Sequence, residues 1–132
     1  MTRLLFTIAF LTVSTLPAQA DVKKLAFFSI SNKKPTVTGS FNVGGYSPAQ
    51  VAALIARECK GKVGALEYQG KPRKRRRVPH QKFQTTCSGG LASRYKGSRA
   101  TFSVSQQPNG KNMVETTTSD GNGNMLLMRE FY

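Results

Sequence analysis

Tyr46-Ser47-Pro48-Ala49-Gln50-Val51-Ala52-Ala53-Leu54-Ile55-Ala56-Arg57-Glu58-Cys59-Lys60-Gly61 is the stretch on which the fold turns, because it alone reads as a helix. Ser47 is a good N-cap, and Pro48 suits the first helical position, where a missing N–H costs nothing. Gln50 completes a capping box with Ser47, and Tyr46 and Val51 take the two positions of a hydrophobic staple. Gly61 is the natural stop. Val51, Leu54, Ile55 and Cys59 fall on one stripe at helical spacing, while Arg57, Lys60 and Lys62 suit the C-terminal end of the dipole.

Cys59 ends that stripe, and the other cysteine of the pair is Cys87. Two cysteines allow one intramolecular connectivity. The expected bridge closes a loop of 87 − 59 = 28 residues and is worth roughly 3.5 kcal/mol by loop-closure entropy. It staples the helix end to the strand expected at His80 to Cys87.

On either side of the helix the chain reads as strands. Val22 to Ile30 is rich in aromatic and β-branched residues, although the adjacent Phe27 and Phe28 cannot both face one core. Ser31 to Pro35 is a turn. Thr36 to Val43 alternates, with Val37, Gly39, Phe41 and Val43 on one face, and reads as the hairpin partner of the first strand. After the helix, Lys62 to Gln69 reads as a strand, Gly70 to Pro79 as a loop, and Ser88 to Ser98 as irregular chain. Arg99 to Gln107 alternates again, with Ala100, Phe102 and Val104 facing in. Pro108-Asn109-Gly110 marks a hairpin, Asn112 to Thr118 the return strand, and Asp120 to Gly123 a further turn. Met125 to Tyr132 is apolar on both faces, which predicts a central or covered strand. The fold class expected is α+β: one amphipathic helix packed on a curved antiparallel sheet of about five to seven strands, with one disulfide, in a single domain over residues 21–132.

The first twenty residues are set apart from that domain. Met1-Thr2-Arg3 is a basic start, Leu4 to Leu16 is apolar, and Ala18-Gln19-Ala20 follows Pro17 as a cleavage site. This is the layout of a secretory signal peptide, with cleavage expected after Ala20. The apolar stretch is shorter than the roughly 20 residues that a membrane-spanning helix needs. Export to the periplasm or the medium also agrees with a paired disulfide.

Without Arg3, 19 basic residues face six acidic ones, a formal charge of +13. Between the cysteines stand Lys60, Lys62, Lys71, Arg73, Lys74, Arg75, Arg76, Arg77 and Lys82 against Glu67 alone, so +8 of that charge lies within one covalent loop. Five consecutive cations, Arg73 to Arg77, repel one another, and a polyanion relieves that repulsion while shedding its own counterions. Four of the five are arginine, whose planar fork grips phosphate or sulfate in two places at once. Lys71, Arg73, Lys74, Arg75, Arg76, Arg77 and Lys82 are therefore the expected ligand-binding residues. The expected partner is an anionic polymer or surface: lipopolysaccharide, acidic phospholipid, polysaccharide or nucleic acid. A charge run on a solvated hairpin tip also serves solubility alone.

Catalytic signals are sparse, and no enzyme is expected. His80 is the single histidine. With Glu67 it could serve as the acid and base of a small secreted ribonuclease-like enzyme, if the two faced each other across a hairpin. A third reading is an inhibitor or adaptor that docks on an acidic partner protein. No cofactor and no metal are expected: paired cysteines and one histidine leave no ligand set, and Asp120 to Asn124 lacks the distal glutamate of a calcium loop. A monomer is the expected state.

Overall fold

The computed structural model describes residues 24–132, so the signal-like stretch and the cleavage expected after Ala20 lie outside the described residues. The chain forms β1 (Leu25–Ser31), β2 (Thr36–Asn42), α1 (Pro48–Glu58), β3 (Glu67–Tyr68), β4 (Arg73–Arg75), β5 (Val78–Thr86), β6 (Arg99–Gln106), β7 (Asn112–Ser119) and β8 (Met125–Phe131). One open antiparallel sheet runs in the order β3-β5-β2-β1-β6-β7-β8, with β4 also paired to β5. The expectation of five to seven strands is corrected to eight. The extra ones are the short β3 and β4, whose sequences carry little strand signal. They are extended because their backbones pair with β5.

The helix starts as its sequence dictates. The Ser47 hydroxyl accepts from the Gln50 N–H, and the Gln50 side chain accepts from the Ser47 N–H. Val51 and Ile55 are buried against Ala26, Phe28, Ile30, Val37, Phe41, Phe83, Ala100, Phe102 and Val104, all on the helix side of the sheet. Stacked Phe28 and Phe102, 4.8 Å between ring centres, form the middle of this core, and Tyr95 meets Phe102 edge-on at 5.5 Å. The adjacent phenylalanines divide between the faces, since neighbours in a strand point to opposite sides. Phe28 is buried in the core and Phe27 lies half-buried on the open face. Val43, expected on the inner face, falls just beyond β2 and is exposed.

The Cys59–Cys87 disulfide is formed. Beside it the Lys60 N–H donates to the Gly90 carbonyl, and the Ala92 N–H to that of Glu58. Gly61 and Gly89 permit this crossing: a Cβ on Gly89 would lie 2.6 Å from the Gly61 nitrogen. Between the helix and β5 the expected strand over Lys62–Gln69 shrinks to Glu67–Tyr68 plus a single bridge from Val63 to Cys87.

Glu58, at the helix end, is buried. Its carboxylate accepts from Arg57, Arg94 and the Tyr95 phenol. Burial first, then the bond to Glu58, pushes the Tyr95 phenol up to about 12. Arg57 also reaches Glu130 at 3.1 Å and lies over the Tyr132 ring, tying the helix to the end of β8.

The reading of Met125–Tyr132 as a central or covered strand is overturned. β8 is the edge of the sheet, and Met125, Leu126, Leu127, Phe131 and Tyr132 are exposed there. Apolar residues on both faces suit a strand covered on both sides, but among the described residues β8 pairs with β7 alone.

Gly39 is the tightest point of the core. A Cβ there would collide with the Phe27 carbonyl oxygen and lie 2.6 Å from the Phe83 ring. Gly39→Ala is expected to destabilise the protein by about 2 kcal/mol through overpacking. Denaturant unfolding followed by circular dichroism measures this, and an unchanged midpoint would contradict the packing described.

Candidate functional site

The site is built from the backbone of a two-residue hairpin. β4 and β5 pair with Arg75 opposite Val78, leaving Arg76 and Arg77 as the connection. The basic run is thus not an open loop: Arg73, Lys74 and Arg75 are strand. Both connecting residues have positive φ, 50° at Arg76 and 65° at Arg77. A type I′ turn requires this, since its twist matches the twist of the strands it joins, and Asn-Gly is the pair that adopts it most readily. An arginine in the left-handed region costs roughly 1 kcal/mol against its ordinary backbone. The chain bears that cost twice in succession, at two exposed cations.

Lys71, Arg73, Lys74, Arg75, Arg76, Arg77 and Lys82 are all exposed. None of the ion pairs among the described residues involves any of them; the pairs join Arg57 to Glu58 and Glu130, Arg94 to Glu58, and Arg129 to Glu115. Arg75 alone is engaged elsewhere, its guanidinium 4.2 Å from the centre of the Phe27 ring. This cation–π interaction fixes the hairpin against β1, and Arg73, Lys74, Arg76 and Arg77 remain free.

His80 lies on the same face, beside the Phe27 ring and opposite Arg73. It is 4% exposed, 6.0 Å from the Phe27 ring, and its Nδ1 has no hydrogen-bond partner. Burial first, and then the charge of Arg75, lowers its pKa below the usual 6.5. Glu67 does not meet it. Glu67 stands opposite Gln84 and His80 opposite Arg73, four residues apart along β5, or about 13 Å. The structure therefore keeps Glu67 and His80, the acid–base pair expected of a ribonuclease-like enzyme, apart.

The open face of the sheet adds residues that sequence reading missed. Alternation carries Arg73, Arg75, His80 and Lys82 onto the same face as Ser29, Thr38, Ser40 and Thr101. A depression of about 430 Å³ lies along this face, lined by Phe27, Ser29, Thr38, Ser40, Lys82 and Thr101 among others. Sharing Ser29 and Thr38, a second depression of about 480 Å³ continues it to Lys33, Lys34 and Arg99. The outward threonines and serines of β2 and β6 were legible as a polar face. What was not legible is that the turn before β2 and the start of β6 bring three more cations to its end.

No protein family model, no curated protein and no solved structure matches the chain. Among the described residues no group of three metal-ligating side chains comes together, and no helix is long and apolar enough to cross a membrane.

Two outcomes follow from this geometry. Arg76→Asn combined with Arg77→Gly is expected to raise stability by about 1 kcal/mol in denaturant unfolding, by relieving the turn; a loss of stability would contradict the left-handed backbone at these two residues. His80 contributes a pH dependence below neutrality. Above pH 6.5 both states hold it neutral. As pH falls through 6.5 the unfolded chain gains a proton that the folded chain resists, so stability falls with pH. In His80→Gln the drop across that window is expected to shrink. An equal drop in both proteins, in thermal unfolding, would place the effect elsewhere.

Proposed function

We propose that this is an exported, small, basic, non-enzymatic protein that binds anionic polymers or surfaces through its disulfide-tied arginine hairpin. The observation that carries this reading is the pair of arginines at positive φ. A run kept only for solubility gains nothing from placing its cations where the backbone resists them. A run that must present guanidinium groups at the tip of a fixed hairpin does. The freedom of Arg73, Lys74, Arg76 and Arg77 from internal carboxylates supports the same reading, because their charge is available to a ligand.

The disulfide supports export, since such bonds persist in oxidising compartments. The signal-like residues 1–20 agree with it. Lys82, Lys33, Lys34 and Arg99 extend the positive surface from the hairpin along the open face, so an extended anionic chain would find cations beyond the tip. Lipopolysaccharide, acidic phospholipid, acidic polysaccharide and nucleic acid all offer the phosphate, sulfate or carboxylate groups such a surface takes.

The test is a salt-titrated binding series on heparin, acidic vesicles and single-stranded nucleic acid. Arg73, Lys74, Arg76 and Arg77 are changed together to glutamine, and Arg75 is kept because it packs on Phe27. Wild-type affinity is expected to fall steeply with salt. For single-stranded nucleic acid the slope of log affinity against log salt should be shallower in the variant by roughly 0.7 for each phosphate that its side chains no longer neutralise. Equal retention of both proteins on every ligand would remove the proposal.

A further inference from the structure

The turn between β1 and β2 carries Lys33 and Lys34, and it is held at both ends. Asn32 fixes one end. Its backbone N–H donates to the Ser98 carbonyl at 2.8 Å, its side-chain nitrogen donates to the Gly97 carbonyl at 2.9 Å, and its Oδ1 accepts from the Leu91 N–H at 2.8 Å. At the other end the Pro35 carbonyl accepts from the N–H of disulfide-bonded Cys87 at 2.7 Å. The two lysines are thereby set beside the start of β6 without help from a ligand.

Arg99 opens β6 opposite Ser31. Its Nε donates to the Ser29 hydroxyl at 2.8 Å, which steadies the guanidinium and leaves its two terminal nitrogens for another partner. Lys33, Lys34 and Arg99 take part in none of the ion pairs among the described residues. Asp120 follows Ser119, the residue paired with Arg99, but its carboxylate serves its own turn. It accepts from the Asn122 and Asn124 N–H groups and from the Asn124 side chain. The three cations share the depression of about 480 Å³ at this end of the open face, and the rest of its lining is hydroxyl, from Ser29, Ser31, Thr36 and Thr38.

We propose that this depression is a binding site for a sugar that carries a sulfate or phosphate group. The cations take the anion, Arg99 through its two-pronged fork and the lysines as point charges. The four hydroxyls, each both donor and acceptor, match the hydroxyls of a sugar ring, which have the same double capacity. A nucleotide fits less well, because no aromatic side chain lines the depression to stack on a base. The site uses none of the hairpin's cations, so it stands whether or not the hairpin binds polyanions. With fewer cations than the hairpin it is the weaker of the two.

An amide chemical-shift titration with N-acetylglucosamine sulfate and N-acetylglucosamine phosphate tests it. The disulfide-intact protein carries glutamine in place of Arg73, Lys74, Arg76 and Arg77, so that the hairpin does not compete. Shifts are expected at Ser29, Lys33, Lys34, Thr36 and Arg99, and Arg99→Gln should weaken binding roughly tenfold. Thr36→Val with Thr38→Val should weaken both sugars and leave inorganic sulfate unchanged. Arg99 and both threonines are exposed, so these variants keep the core intact, and the spectrum itself reports the fold. Sugars that shift none of these residues overturn the site. Inorganic sulfate binding as tightly as the sulfated sugar, or a dinucleotide binding more tightly than either sugar, overturns the choice of ligand. Displacement of the bound sugar by a heparin tetrasaccharide identifies a polysaccharide chain as its source, and displacement by lipopolysaccharide micelles identifies a lipid head group. Displacement by neither overturns the assignment.

Discussion

The Cys59–Cys87 bond is the constraint on which the rest of the structure depends. A helix of eleven residues contributes only Val51, Leu54, Ile55 and Glu58 to the buried interior, a small footing with which to hold a separate element in place. The bond ties its last turn to the end of β5, and hydrogen bonds from Lys60 to Gly90 and from Ala92 to Glu58 close the seam around it. The helix end, the segment after Cys87 and β5 thus behave as one unit. Because β5 is the strand on which the β4 hairpin is built, a covalent bond in the interior stiffens a charged surface at the rim. Fixing that surface before a ligand arrives spares the entropy that a slack loop would lose on binding.

Charge is separated along the sheet by the same arrangement. Carboxylates are few, and most of those paired in the structure serve one end of it. Glu58 is buried among Arg57, Arg94 and Tyr95, Glu130 holds Arg57, and Glu115 holds Arg129. The β4–β5 end is left with cations that take part in none of the ion pairs among the described residues. A neutral apolar edge and a basic edge then face in opposite directions across one sheet.

Much of the fold was legible in the sequence, and what was not has physical reasons. The helix start was written in Ser47 and Gln50, and the β6–β7 hairpin in alternation followed by Asn109-Gly110, because both signals are local. β4 was hidden because Arg-Lys-Arg has no strand preference; its extended form comes from pairing with β5. β8 was legible as a strand but not in its position, since apolar faces on both sides look the same whether a strand is covered by its own chain or by another. Glu58 was within reach: it stands three and four residues after Ile55 and Leu54, on the buried stripe, but a carboxylate there is recognisable only once Arg94 and Tyr95 arrive from far along the chain. At the candidate site the cations themselves were plain. The turn geometry of Arg76 and Arg77, the capping of Phe27 by Arg75, the burial of His80 and its distance from Glu67 are set by strand register, which the sequence does not display.

The most direct measurement is an amide chemical-shift titration of isotopically labelled protein with a short heparin fragment, at constant salt and with the disulfide intact. Binding through a fixed hairpin predicts shifts concentrated at Arg73 to Arg77 and fading along the open face toward Lys82, Lys33, Lys34 and Arg99, with the amides of α1 unmoved. Shifts spread evenly over all exposed lysines and arginines, or centred away from the hairpin, would contradict the account.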